Sequence, residues 1–134
     1  SWETLKSGND IAILAVGSMV YPALMAANKL EQQDISCEVV NCRFIKPIDL
    51  QCLKNLALRF TSFLVVEEGV RTGGFGEGVS SFLSENSRDN KVQCLSLPDS
   101  FIDHGPRDIL LNDLGLSENG IISVVKEIME KFNE

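Results

Sequence analysis

Two carboxylates and a set of glycines follow a short apolar run in the middle of the chain. Residues 63–66 are β-branched, aromatic or aliphatic, which predicts a buried strand, and Glu67 and Glu68 stand at its carboxyl end. Glycines come next, at Gly69, Gly73, Gly74, Gly76 and Gly78. Because glycine lets backbone N–H groups approach an anion at the start of a helix, one chemistry for this stretch is a phosphate cradle.

The spacing of these glycines does not match a known phosphate-binding motif. The run Gly-Phe-Gly-Glu-Gly from Gly74 is neither the dinucleotide-binding G-x-G-x-x-G nor a P-loop, which needs Lys and then Ser or Thr after its last glycine. Glu67, Glu68 and Glu77 would also repel a phosphate held nearby. The alternative interpretation, which we favour, is that the glycines turn the chain sharply and let the next helix lie close to the sheet.

The single histidine, His104, lies beside Asp103 in a long loop that contains two prolines. Such a pair could act in general acid–base catalysis. However, no nucleophile or second base is near it in the sequence, and neighbouring residues of a loop need not be hydrogen-bonded to each other. We therefore predict that the pair fixes the loop backbone, which is a common role of short polar side chains.

Two basic residues, Arg43 and Lys46, follow a predicted strand and precede Pro47. Proline favours an extended conformation for the residue before it, so this segment is predicted to be a loop at the strand end. One interpretation is that the two charges contact an anion or a partner, and the other is that they belong to an ordinary solvated loop. The sequence leaves both interpretations open.

The four cysteines, Cys37, Cys42, Cys52 and Cys94, show no C-x-x-C spacing, so neither a zinc site nor a redox pair is predicted. Cys37 and Cys42 are five residues apart on one predicted strand and should therefore face opposite sides of the sheet as buried thiols. Scattered thiols without a visible secretory signal predict a protein of the reducing cytoplasm.

Strands alternate with helices along the chain. Apolar or β-branched runs predict strands over residues 11–16, 37–42, 63–66 and 92–97, with a further edge strand over residues 2–5. Apolar residues at helical spacing follow each of the four main strands, and Ser18 and Asp49 are predicted to cap the first two helices. This order predicts an α/β fold with a parallel sheet between layers of helices.

Two helices are predicted after the last strand. The first begins at Pro106 and stops at Leu114 and Gly115, where glycine can end a helix. The second is capped by Ser117 and carries a broad apolar face toward the end of the chain.

Length and composition limit the possible functions. The 134 residues fit one domain, and 44% hydrophobic and 23% charged residues are the mix of an ordinary globular protein. A net charge of −7 argues against nucleic acids and anionic membrane surfaces as partners, because both need a cationic face. No apolar run approaches the roughly 20 residues of a membrane span.

Motifs in order along the chain resemble those of the transketolase-like thiamine-diphosphate enzymes. They are Ile11-Ala-Ile-Leu-Ala-Val-Gly-Ser-Met-Val-Tyr-Pro-Ala23, Arg43-Phe-Ile-Lys-Pro-Ile-Asp49, Val65-Val-Glu-Glu68 with Gly73-Gly-Phe-Gly76, Leu97-Pro-Asp-Ser-Phe-Ile-Asp-His-Gly105 and Leu114-Gly-Leu-Ser-Glu-Asn-Gly-Ile121. Together they cover nearly the whole chain and resemble the carboxy-terminal domain of the family, with the nearest likeness to the 1-deoxy-D-xylulose-5-phosphate synthases. The Val-Glu-Glu-Gly form is also similar to the β subunit of 2-oxo acid dehydrogenases, but the stretch around His104 favours the synthases.

This resemblance implies a three-layer α/β/α sandwich. Its five-stranded sheet would be mostly parallel, with the strand over residues 2–5 as an antiparallel edge. It also implies that residues 1–134 form a single domain of a larger enzyme of isoprenoid precursor synthesis, which joins pyruvate, after decarboxylation, to glyceraldehyde 3-phosphate. The cofactors implied for that parent enzyme are thiamine diphosphate and Mg²⁺, with none in this chain.

The chain lacks the motifs with which the family holds its cofactor, such as Gly-Asp-Gly with a downstream Asn. The resemblance therefore implies no catalytic, cofactor-binding or metal-binding residue here, and it predicts that the chain is inactive alone. Its implied partners are the pyrimidine-binding and diphosphate-binding domains of the same enzyme, and a second copy in a homodimer. Candidate interdomain contacts are Arg43, Lys46, Glu67, Glu68, Gly73, Gly74, Gly76 and His104.

Other functions remain open at this point. The chain could be the corresponding domain of a transketolase or of a 2-oxo acid dehydrogenase β subunit. It could instead be a free-standing module that binds a phosphorylated ligand through Ser18 and the glycine-rich helix start, or an interaction domain that only mediates oligomers.

Overall fold

The computed structural model describes residues 1–43, 47–68, 74–86, 89–97 and 107–132, with the backbone alone for residues 97, 107–116 and 132. It contains a five-stranded sheet in the order β1-β3-β2-β4-β5. The strands are β1 (Glu3–Lys6), β2 (Ile11–Ala15), β3 (Cys37–Asn41), β4 (Ser62–Glu68) and β5 (Lys91–Leu97). Strand β1 is antiparallel to β3, whereas the other neighbours are parallel, so the predicted mixed sheet with an antiparallel edge is confirmed.

Helices cover both faces of this sheet. They are α1 (Val20–Glu31), α2 (Leu50–Arg59), α3 (Phe75–Glu85) and α4 (Arg107–Phe132), and a 3₁₀ turn at Gly17–Met19 precedes α1. Apolar residues of α1 and α4 pack on one face, and those of α2 and α3 pack on the other. Lys29 of α1 also forms an ion pair with the buried Glu118 of α4. The predicted three-layer sandwich is therefore confirmed.

The central strand β2 is apolar without interruption because helices cover both of its faces. Every residue of β2 is buried. Ile11 and Ile13 face α1 and α4, whereas Ala12 and Leu14 face α2 and α3. A strand covered by helices on both faces needs apolar residues at successive positions, because no side faces water.

Two details near the helix ends differ from the sequence predictions. Ser18 does not cap α1: it lies in the 3₁₀ turn, and Met19 occupies the cap position without a side-chain hydrogen bond. Gly17 has a positive φ of +59° and starts the 3₁₀ turn. Ser18 therefore lies within that turn and does not have the extended backbone of a capping residue. By contrast, Asp49 caps α2 as predicted, since its carboxylate accepts a hydrogen bond from the Cys52 N–H.

The predicted break near the end of the chain is wrong. One continuous helix, α4, spans 26 residues and passes through Gly115 and Ser117. Glycine permits a left-handed helix end but does not impose one, and its cost inside a helix is only about 1 kcal/mol. The buried side chains of Ile121, Val125 and Ile128 hold the helix against the sheet and outweigh that cost. In the described part of the chain, no helix is both long enough and apolar enough to cross a membrane.

Candidate functional site

The order of the strands places one candidate site at the carboxyl edge of the sheet. From β2 the chain goes to β3 on one side and then returns to β4 on the other side, so the order reverses between β2 and β4. In open α/β sheets, ligands bind beyond the carboxyl ends of the strands at such a reversal. The residues at this point are the turn Gly17–Met19 after β2, and Glu67 and Glu68 at the end of β4.

Helix α3 begins beside the same edge. Gly74 precedes it with φ +83° and ψ 20°, a left-handed conformation that side chains other than glycine rarely adopt. The carbonyl oxygen of Gly74 then accepts a hydrogen bond from the Gly78 N–H at 2.9 Å. The sharp turn expected from the glycines is therefore present at Gly74.

Gly76 allows α3 to approach the sheet closely. A Cβ atom at this position would lie 2.3 Å from Cys94 Sγ and 3.4 Å from Glu67 Oε1, and the first distance is too short for any side chain without a shift. Gly76 itself is buried. Gly76 thus lets α3 lie close to the sheet with the Cys94 side chain in its present position, which agrees with the interpretation favoured from the sequence.

The groups around this helix start are acidic or neutral. The carboxylate of Glu67 is buried, and Glu77 lies in the first turn of α3, where a negative charge suits the helix dipole. Partial burial, followed by the charges of Glu67 and Glu77, raises the pKa of the Cys94 thiol. A protonated thiol is a poor nucleophile, and two carboxylates repel phosphate, so this edge suits neither thiol chemistry nor anion binding.

Trp2 is a residue of this edge that the sequence analysis did not single out. Its backbone N–H donates a hydrogen bond to Asp49 Oδ2 at 2.9 Å, while Asp49 Oδ1 accepts one from the Cys52 N–H at 3.1 Å. These two bonds, that from Trp2 first, lower the pKa of Asp49. Trp2 is 7% exposed, and its indole ring lies edge-to-face against Phe75, with ring centroids 5.7 Å apart. In the sequence it is the single tryptophan and the first residue of the predicted edge strand, but no motif marks it.

The structure brings several of the candidate contact residues to one edge. Glu67, Glu68, Gly74 and Gly76 lie at the end of β4 and the start of α3, and the exposed Arg43 follows β3 at the same edge. Lys46, Gly73 and His104 lie outside the described residues. Their role in domain contacts stays a prediction.

Comparison with known proteins identifies the family. Residues 1–121 match the family model described as transketolase, C-terminal domain. The chain belongs to the transketolase C-terminal domain family. The resemblance inferred from the sequence motifs is thereby confirmed.

Relatives in this family are 1-deoxy-D-xylulose-5-phosphate synthases. The chain is 44% identical over 130 residues to that of Aquifex aeolicus, which covers 97% of the chain and 21% of the relative. It is 39% identical over 129 residues to that of Clostridium perfringens strain SM101, which covers 96% of the chain and 21% of the relative. The chain thus spans about a fifth of the length of the curated relatives it matches.

A solved structure extends the comparison to the fold. The chain is similar to a protein described as "Split gene transketolase, inactive beta4 tetramer", with a TM-score of 0.75 and 31% sequence identity. The match covers 95% of this chain and 40% of the other. The five-stranded mixed sheet and its helices are therefore those of the transketolase C-terminal fold.

Proposed function

We propose that the chain is the carboxy-terminal domain of a thiamine-diphosphate-dependent 1-deoxy-D-xylulose-5-phosphate synthase. This parent enzyme would join pyruvate to glyceraldehyde 3-phosphate in isoprenoid precursor synthesis, in the cytoplasm. The observation that carries the proposal is the alignment with such synthases, which extends over 97% of this chain at 44% identity. Because the same alignment covers only 21% of the relative, most of the proposed enzyme lies in other domains.

The proposed role of this domain is to support the others and the homodimer, without catalysing the reaction itself. Thiamine diphosphate carries a negatively charged diphosphate group, which would bind through Mg²⁺ in the proposed parent. The groups at the carboxyl edge do not fit it, because Glu67 and Glu77 repel a diphosphate and the Cys94 thiol is held protonated. Within the described residues, no group of three His, Cys, Asp or Glu side chains is placed to hold a metal ion. The family resemblance leads us to propose that both cofactors bind in the pyrimidine-binding and diphosphate-binding domains of the parent.

The same edge is the surface that we propose for contact with those domains. The turn after β2 and the carboxyl ends of β3 and β4 lie at it, and it carries both a cation, Arg43, and the carboxylates Glu67 and Glu68. Lys46, Gly73 and His104 are included in the proposed contact because of the family motifs. The similar split-gene transketolase is described as an inactive tetramer, which supports a role in assembly without independent activity.

A grafting experiment tests this function. The aligned segment of the A. aeolicus synthase is replaced by this chain, and formation of 1-deoxy-D-xylulose 5-phosphate is measured with thiamine diphosphate, Mg²⁺, pyruvate and glyceraldehyde 3-phosphate. We expect the grafted enzyme to be active and the chain alone to be inactive.

Two controls accompany the graft. The unmodified A. aeolicus enzyme sets the full rate, and the same enzyme with the segment deleted should be inactive. The proposal is wrong if the graft is dimeric and binds thiamine diphosphate but turns over no substrate, or if the isolated chain catalyses the reaction.

A further inference from the structure

Trp2 lies directly before β1, the edge strand of the sheet. Strand β1 runs antiparallel to β3 and begins with Glu3 opposite Asn41, at the carboxyl end of β3. Trp2, directly before β1, is therefore at the carboxyl edge of the sheet. This is the edge at which α2 and α3 begin, since each of these helices follows the carboxyl end of a parallel strand.

The backbone of Trp2 is tied to the start of α2. Its N–H donates to one carboxylate oxygen of Asp49, whose other oxygen accepts the Cys52 N–H. The carbonyl oxygen of Asp49 accepts a further hydrogen bond from the Leu53 N–H at 3.0 Å. A movement of Trp2 would thus displace the group that caps the first turn of α2.

The side chain of Trp2 is tied to the start of α3. Its ring meets Phe75, the first residue of α3, at an interplanar angle of 71°, and both rings are almost fully buried. Phe75 directly follows Gly74, whose backbone is left-handed. One residue therefore contacts the starts of two helices that are 25 positions apart in the chain, from Leu50 to Phe75.

We infer that Trp2 is a positioning residue that couples the start of β1 to the starts of α2 and α3. Through them it sets the geometry of the edge that contacts the other domains, and this last step rests on the proposed function. Trp2 acts through Asp49, which accepts its backbone N–H, and through Phe75, which contacts its ring. The sequence distance between these partners explains why no motif marks the role.

A matched aromatic pair separates this role from ordinary core packing. Phe60 and Phe63 also lie edge-to-face, with centroids 6.5 Å apart and an interplanar angle of 72°, and they belong to the same apolar layer as Trp2. Phe60 follows the end of α2 and precedes β4, at the amino edge of the sheet. Phe60→Ala thus removes a similar contact from the same layer while leaving the carboxyl edge intact.

Hydrogen exchange of the chain measures the coupling directly. Trp2→Ala should accelerate exchange about tenfold at the Cys52, Leu53 and Gly78 amides, because an edge-to-face contact and its buried area are lost. Phe60→Ala should leave the exchange rates of these three amides unchanged relative to the exchange rates of the β4 amides. Both Trp2 variants keep the backbone N–H that donates to Asp49, but only Trp2→Phe also keeps a ring, so it should restore slow exchange. Equal acceleration in the Trp2→Ala and Phe60→Ala proteins, or none in Trp2→Ala, would overturn the inference.

Kinetics of the grafted enzyme test the consequence for domain contacts. Since Trp2 does not touch substrate, Trp2→Ala should lower kcat by about tenfold or more with KM unchanged, as a smaller fraction of molecules holds the productive geometry. Trp2→Phe should recover the rate, and Phe60→Ala should leave kcat unchanged. A raised KM with unchanged kcat would contradict the role. If the wild-type graft is itself inactive, the proposed function fails, while the exchange result still decides the coupling.

Discussion

Arg59 donates two hydrogen bonds to the buried carboxylate of Glu38. Arg59 Nη1 lies 3.1 Å from Glu38 Oε1, and Nη2 lies 2.5 Å from Oε2. The Gly8 N–H also donates to Oε1, at 3.2 Å. A single carboxylate on β3 therefore joins the connection between β1 and β2 to the last turn of α2. Only 2% of the Glu38 side chain is exposed, whereas half of the Arg59 side chain is, so the arginine brings the charge that the buried carboxylate needs.

Removal of this arginine should destabilise the domain. Arg59→Met leaves a buried carboxylate with one backbone hydrogen bond, so we expect a loss of about 2–3 kcal/mol in the free energy of unfolding, measured with urea. Lys54→Met, an exposed cation on the same helix, should change it by less than about 0.5 kcal/mol.

The double variant identifies the cause of that loss. Glu38→Gln together with Arg59→Met should be less destabilised than the sum of the two single variants, because the neutral amide does not need the arginine. Strict additivity would show that Arg59 acts through its packing on the Phe60 ring instead, which lies 5.0 Å from its guanidinium carbon.

The close approach of α3 to the sheet leads to a second prediction, on the stability of a Gly76 variant. Gly76→Ala should lower the free energy of unfolding by about 1–2 kcal/mol, because the new methyl group would lie 2.3 Å from Cys94 Sγ. Gly76→Ala combined with Cys94→Ala should recover most of this loss. In Gly78→Ala the nearest atom is the flexible end of Ile48 at 3.0 Å, so we expect no loss or a gain of up to about 1 kcal/mol from helix propensity. A Gly76→Ala protein as stable as wild type would contradict the packing role.

Local signals in the sequence predicted much of this fold. The uninterrupted apolar run of β2 indicated a strand covered on both faces, and Asp49 before an amphipathic helix indicated its cap. Each of these two signals depends only on residues that are close together in the sequence. The cap predicted at Ser18 failed because the backbone of Gly17 decides how α1 begins, and the break at Gly115 failed because packing of distant residues decides whether a glycine ends a helix.

The candidate site was predictable in place but not in detail. Glycines directly after a predicted strand indicated where α3 begins. Because the main strands were predicted to be parallel, their carboxyl ends were expected at the same edge of the sheet. The contact of Trp2 with Phe75, and that of Glu38 with Arg59, join residues far apart in the chain and leave no pattern in it. Which side chains meet across the edge therefore requires the folded structure.

The four thiols should differ strongly in reactivity. Burial raises the pKa of Cys37 to about 12 and raises that of Cys42 further, and both are fully buried on opposite faces of the sheet. At pH 8 nearly every Cys37 thiol would therefore be protonated. We expect iodoacetamide to label Cys52 and Cys94 first, both more slowly than a free cysteine, since their pKa values are also raised. Peptide mass spectrometry assigns the sites, with the urea-unfolded chain as the fully reactive control. Early labelling of Cys37 or Cys42 would contradict their burial.

The stability of the domain should also depend on the ionisation of Asp49. Hydrogen bonds from Trp2 first and Cys52 second lower its pKa in the folded state from the ordinary value of 3.8. The folded protein thus favours the carboxylate, so Asp49 contributes stability above pH 3.8, and this is lost as the pH falls through the lower folded-state pKa. Asp49→Asn keeps an oxygen to cap α2 but does not titrate. Urea unfolding at a series of acidic pH values should therefore show a steeper loss in wild type than in Asp49→Asn, and parallel curves would mean that other carboxylates carry the acid sensitivity.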